Sequence, residues 1–376
     1  GTRYRLLNTV RQYARDRLLE AGESETWTRR HLAFFVAFAE EASSSRKGLE
    51  QQRWLERLDA EHDNLRAALE SCVGLPDRAE AGLRLSASLS RFWGGRGHLS
   101  EGRGWLARML ADDPGNDRAL RARALSGLRL LAFYQGDYAA VRAYGEESLS
   151  LYRELHDGRG LAGGLNDLGI AAREQGDYEA ARALLTQSLE AASGAGFTAQ
   201  VATALHNLGA VSWDMGDAAS ARLLYQQAQA MFRELDDAQS VALSLVGLGE
   251  LAQEEGDYAA ACAFSDESLR IYRAHGNARG ICLCLVVLGV SSLGLGDHTA
   301  ARGYLGESLR VSGKIGAMKE LALALEGLAA LRAMTGSPNV AFSLWSAAEK
   351  LREKIGAPLR PSELTIRERQ IAAARA

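Results

Sequence analysis

Chemistry in a protein begins with side chains that hold protons, metals or nucleophiles at a workable spacing, and this chain offers few. Glu61-His62-Asp63 sets an imidazole between two carboxylates. Adjacent residues on a helix diverge, so the three do not converge on one proton, and they read as a solvated face or a polar contact at a domain junction. Gly247-Leu-Gly249-Glu-Leu-Ala252 spells the dinucleotide fingerprint G-x-G-x-x-A. That fingerprint needs a strand before it, whereas here it falls inside a helix-period apolar run. Cys282 and Cys284 lie two apart on a similar run, where side chains point about 200° away from each other and share neither a bridge nor a metal. Together with Cys72 and Cys262 they read as small core hydrophobes in a reducing compartment. No H-E-x-x-H, G-x-S-x-G, paired C-x-x-C or G-x-x-x-x-G-K-[ST] occurs. Nothing assembles a nucleophile, base and oxyanion hole, so the expectation is no enzyme, no cofactor and no metal.

The background composition favours helix. Of 376 residues, 47% are hydrophobic and 24% charged, only five are proline, and Ala, Leu, Glu and Arg dominate. A net charge of -3 argues against a general phosphate-binding surface. The first 31 residues are locally basic, with Arg3, Arg5, Arg11, Arg15, Arg17, Arg29 and Arg30 against Asp16, Glu20, Glu23 and Glu25, an excess that reads as a solvated helix face. Neither a signal peptide nor a long apolar run is present, so a cytoplasmic protein with no membrane partner is expected. Gly1 opens inside a helical pattern, and the chain reads as an excised fragment.

The elements that position these residues recur. Gly-Asp stands at Gly136-Asp137, Gly176-Asp177, Gly216-Asp217, Gly256-Asp257 and Gly296-Asp297, always 40 apart, with Gly336-Ser337 a relaxed sixth copy and Gly97-His98 a degenerate early one. Leu-Gly precedes it by eight at Leu168-Gly169, Leu208-Gly209, Leu248-Gly249 and Leu288-Gly289. Ser-Leu keeps the register at Ser148, Ser188, Ser268 and Ser308, as do Ala181, Ala221, Ala261 and Ala301. The Gly supplies a positive φ that ends one helix and the Asp caps the next, while the Gly of Leu-Gly admits a facing helix. Val241, Leu245, Leu248 and Ala252 make one apolar stripe; Tyr258, Ala261, Ser265, Ser268, Leu269 and Tyr272 make the other. Such a pair cannot bury both stripes alone, so neighbours must stack.

Leu248, Gly249, Gly256, Asp257, Tyr258, Ala261 and Phe264 together resemble the tetratricopeptide repeat. The usual unit is about 34 residues long; this one is 40 and lacks the terminal proline, like the longer MalT-like and Pins/LGN-like repeats. The resemblance implies an all-α fold, a right-handed superhelical α-solenoid of tetratricopeptide-like helical hairpins.

Residues 1–80 are helical but out of register. Leu7, Val10, Ala14 and Leu18 form a stripe ending near Gly22; a second helix runs through His31, Phe34, Phe35 and Phe38, and a third through Trp54, Leu58, Leu65 and Leu69. The wording RYRLLNTVRQYARDRLLEAGE, RRHLAFFVAFAEEA and WLERLDAEHDNLRAAL resembles the segment joining the ATPase and winged-helix part of STAND-type bacterial regulators, AfsR-like and LuxR-like, to their repeat sensor. The organisation expected is 1–80 junction, 81–357 repeat array and 358–376 a capping helix or truncated further segment. Ser362 to Ala376 is similar to the opening of a LuxR-type helix-turn-helix, but an ordinary capping helix is the preferred reading.

In tetratricopeptide arrays the first helices line the concave surface. Carrying that register over puts Tyr134, Asn166, Arg173, His206, Asn207, Trp213, Glu250 and Gln253 in the groove, with Trp213 and Tyr134 as aromatic anchors. The lysines of a carboxylate clamp are missing beside Asn166 and Asn207, which weighs against an acidic peptide tail. The function implied is a sensor and interaction module of a STAND/LuxR-type transcriptional regulator in signal transduction. It would bind a protein, peptide or small-molecule inducer, couple to an upstream ATPase domain and make no direct nucleic-acid contact. A free-standing adaptor bridging two proteins is the alternative.

Overall fold

A computed structural model describes residues 8–44, 48–113 and 115–355, together with Leu359, Leu364, Arg367, Glu368 and Ile371. Leu7 and most of the segment from Ser362 to Ala376 lie outside the described residues. The chain forms two compact units, residues 1–155 and 156–376, and every regular element described in either is helical.

Unit 1 holds α1 (Asn8–Glu20), α2 (Ser24–Ser44), α3 (Gly48–Ala60), α4 (His62–Glu70), a 3-10 turn at Pro76–Arg78, α5 (Ala79–Arg96), α6 (Leu99–Asp112), α7 (Arg118–Tyr134) and α8 (Tyr138–Glu154). Phe35, Phe38, Trp54, Leu65, Leu83, Phe92, Trp93 and Leu106 share one core. Phe34 instead stands 61% exposed. The single helix expected through Trp54 and Leu69 is two. The chain breaks at Glu61 (φ -102°, ψ 9°), so His62 begins a new helix rather than continuing the old one.

Unit 2 holds α9 (Gly158–Glu174), α10 (Tyr178–Gly194), α11 (Thr198–Asp214), α12 (Ala218–Glu234), α13 (Ala238–Glu254), α14 (Tyr258–Ala274), α15 (Ala278–Gly294), α16 (His298–Ile315), α17 (Met318–Met334) and α18 (Pro338–Ile355). Consecutive helices pack as hairpins, and the odd-numbered helices also pack on one another, forming one continuous layer. Each glycine from Gly176 to Gly336 in the expected register adopts φ between 75° and 86°. Asp177, Asp217, Asp257 and Asp297 then cap the following helices by accepting the N–H three residues on. A second cap series, also in register, escapes the Gly-Asp pattern: Asp157, Asp237 and Asn277 cap α9, α13 and α15 in the same way. The Ser of Ser-Leu has its own task. Ser188, Ser268 and Ser308 are buried and donate across the hairpin to the carbonyls of Ala162, Ala242 and Cys282 at 2.8, 2.8 and 3.1 Å.

The fingerprint-like glycines lie inside α13, with Gly247 against Tyr225 and Gly249 against Ser265. All four cysteines are free thiols. Burial pushes Cys282 and Cys284 up to about 11, so neither is a thiolate at neutral pH.

Candidate functional site

Apart from Tyr134, the residues expected in the groove fall on the odd-helix layer of unit 2, and there most of their polar groups are answered within the layer. Asn207 donates from Nδ2 to Asn166 Oδ1 at 2.8 Å. Arg173 pairs with Asp214, and the Trp213 indole N–H donates to Glu254. Arg279 pairs with Glu320 further along. Every one of these pairs is separated by 41 residues, one repeat plus one residue, so adjacent inner helices are stitched by a polar ladder. A second series spans 38 residues: Ser244 Oγ with His206 Nδ1, and Ser291 Oγ donating to Gln253 Oε1, each at 3.3 Å.

Trp213 departs from the expectation. It is 7% exposed and packs with Ala210, Tyr225, Leu248 and Leu251 rather than facing solvent. An indole at this register reaches back onto its neighbouring hairpin, and burying it gains more than leaving it wet. His206 is also covered, its ring 5.0 Å from that of Tyr225. Burial, seconded by the Arg173 charge, lowers its pKa to about 4, so it serves as a neutral hydrogen-bonding group. Tyr134 lies on α7 in unit 1, 48% exposed beside Gly94.

Three of the expected residues, Trp213, Glu250 and Gln253, do line a cleft that opens to solvent. Its floor is apolar: Leu283, Val286, Val287 and Val290 from α15, with Leu323 and Ala330 from α17. The site residues read from sequence did not include Val286 or Val290, nor α17, Trp345, Leu359 and Arg367. Trp345 forms one wall, is 2% exposed, and its indole N–H finds no partner among the described residues. Glu250, Glu254 and Glu326 put carboxylates around the floor, Glu326 being held by both ends of the Arg352 guanidinium at 2.8 and 2.9 Å. The apolar lining with a few polar groups suits a bound apolar side chain or a small molecule. No catalytic constellation converges on the cleft among the described residues.

The tetratricopeptide repeat family profile matches residues 160–234 and 240–314. An HTH-type transcriptional regulator of Mycobacterium tuberculosis is 34% identical over 176 residues, which is 45% of this chain and 20% of the relative. A Mycobacterium bovis regulator of the same description matches to the same extent. The chain therefore spans 20% of the length of the curated relatives it matches. Among solved structures, a Rap protein complexed with competence and sporulation factor superposes with a TM-score of 0.67 at 15% identity, over 92% of this chain and 96% of that one. A STAND protein with a tetratricopeptide repeat sensor from Pyrococcus horikoshii superposes with a TM-score of 0.54 at 14% identity, over 86% of this chain and 51% of that one. At such identities the likeness is one of fold. The 40-residue units within residues 160–314 are tetratricopeptide repeats, and they build an α-solenoid.

Proposed function

We propose that the chain is the sensor and interaction module of a STAND/LuxR-type transcriptional regulator, and that its inducer or partner segment occupies the α13–α15–α17 cleft. The observation that carries this reading is the cleft's chemistry: an apolar floor edged by carboxylates, and a buried Trp345 indole N–H with no acceptor among the described residues. A ligand that fits has an apolar body, a cationic or N–H-rich end toward Glu250 and Glu254, and an acceptor oxygen for Trp345. A hydrophobic peptide with one basic residue has all three. Binding would be differential between two arrangements of the helix layer, and that difference is what an upstream ATPase domain would read. The relatives named as HTH-type regulators and the fold shared with a STAND protein's sensor support the regulator context.

The test is a thermal-shift screen of hydrophobic basic peptides and amphipathic metabolites on wild type and Val290→Arg, which fills the floor with a charge. At a hundredfold excess over Kd a true ligand stabilises wild type by about 2.7 kcal/mol and leaves the variant unshifted. Equal shifts in both proteins would remove the cleft from the site.

A further inference from the structure

A second cluster, in unit 1, gathers metal-binding side chains from two elements. The chain break at Glu61 puts His62 at the start of α4. The left-handed turn at Gly97 (φ 79°) leads into α6, where His98 is the N-cap and Glu101 lies in the first turn. Ligand atoms of His62, His98 and Glu101 all lie within 4.8 Å of one another, and the three residues are half-buried. His62 Nε2 is 3.1 Å from Glu101 Oε1. The two imidazoles stand 4.4 Å apart, tilted by 46°, and the buried Phe92 ring backs both, at 5.4 Å from His62 and 5.8 Å from His98.

Packing accounts for only part of this arrangement. Glu101 is already gripped by Arg66, whose Nε and Nη2 reach Oε1 and Oε2 at 2.7 and 2.5 Å. The Arg66 charge is itself shared with Asp63, 3.8 Å away, and with Glu70. Two imidazoles facing one oriented carboxylate against an apolar wall match the donor set and surroundings that a borderline cation seeks.

We propose that His62, His98 and Glu101 form a zinc site. Two histidines and one glutamate supply three ligands, and the half-exposed fourth position is left to water or to a side chain of a partner. Donors sharing a tetrahedral zinc at about 2.1 Å sit roughly 3.4 Å apart. The His62–Glu101 pair already meets that spacing, and the wider separations close by a change in the His98 side-chain torsions. Glu101 turns Oε1 to the metal while Arg66 keeps Oε2, which makes Arg66 the hydrogen-bonding support of a ligating carboxylate. The metal would clasp the α3–α4 segment to the α5–α6 hairpin. The site is independent of the cleft proposed above.

The test uses the whole chain, stripped with a chelator and titrated calorimetrically with zinc chloride in excess magnesium, with cobalt(II) absorption as a second readout. One zinc per chain is expected, with a tetrahedral cobalt spectrum and affinity that weakens as pH falls through the imidazole range. His62→Ala and His98→Ala should each lose at least about tenfold in affinity, while His275→Ala, in unit 2, matches wild type. Circular dichroism checks that the variants keep their helix. Should an alanine variant unfold, Glu101→Gln, nearly identical in shape, takes its place and should lose affinity likewise. Wild type that takes up no zinc, or binds it no more tightly than folded ligand variants, overturns the site.

Discussion

Burial decides what His206 can do. Its imidazole is covered by its neighbours, bonded to Ser244, and lowered to about 4 by burial first and the Arg173 charge second. In the unfolded chain it titrates near its ordinary value of 6.5. Between those values the unfolded state takes up the proton first, so stability falls as pH drops from 6.5 toward 4 and is flat below. The loss reaches about 2 kcal/mol by pH 5. His206→Gln keeps a hydrogen-bonding head without the proton. Urea unfolding midpoints at pH 7.5 and 5 should therefore converge in the variant relative to wild type, and an unchanged pH dependence would show that another group is responsible. The register read from sequence put His206 in the groove; its side chain is spent inside the layer, because one position around a helix separates a groove-facing residue from one that meets the next hairpin.

At the scale of the helix, capping and close approach were legible in the sequence because both act within one hairpin. A positive-φ glycine and an Asp that accepts from its own third N–H leave a local signature, and repetition every 40 residues made it readable. The polar ladder was not legible, since its 41-residue step joins neighbouring repeats and depends on how far each is rotated about the stack. Break and register also hid the unit 1 cluster: His62 reads as one member of an acid-flanked triplet, while its real neighbours are 36 and 39 residues away. Helix approach itself can be measured with two glycines. A Cβ at Gly289 would lie 2.5 Å from Leu305 Cγ, between two packed helices, whereas one at the exposed Gly303 on α16 meets nothing within 4 Å. Gly289→Ala should destabilise by about 1–3 kcal/mol through overpacking. Gly303→Ala should stabilise by about 0.5–1 kcal/mol through helix propensity alone. Opposite signs in thermal unfolding distinguish a packing glycine from a merely tolerated one; two shifts of the same sign would refute the assignment.

Across the whole stack the charges follow a pattern that helix dipoles alone would forbid. Glu174, Asp214 and Glu254 end α9, α11 and α13, where the macrodipole disfavours an anion, and Arg279 and Lys319 begin α15 and α17, where it disfavours a cation. Each is answered by a partner, and one answer comes from 145 residues away: Lys319 Nζ lies 3.2 Å from both carboxylate oxygens of Glu174. Helices pack about 8–10 Å apart, so a flat layer would hold α9 and α17 more than 30 Å from each other. The ion pair therefore requires the inner layer of unit 2 to curl until its first and last helices meet. Burial works to raise the Glu174 carboxyl, but Lys319 and then Arg173 outweigh it and hold it below its ordinary value of 4.5. With a depressed folded pKa, the bridge's contribution is present above 4.5 and is lost only as pH falls through that lower value. Between pH 5 and 8 the contact should answer to salt and not to protons, the reverse of His206. Lys319 is 40% exposed on its side chain, so screening limits the coupling to roughly 0.5–1 kcal/mol in a Glu174→Gln, Lys319→Met double-mutant cycle. That small energy acts at the end of a long lever. Small-angle scattering of either single variant at low salt should report a larger radius of gyration, approached by wild type only as salt is added. A wild-type radius independent of salt and equal to that of both variants would mean that side-by-side helix packing alone sets the curl.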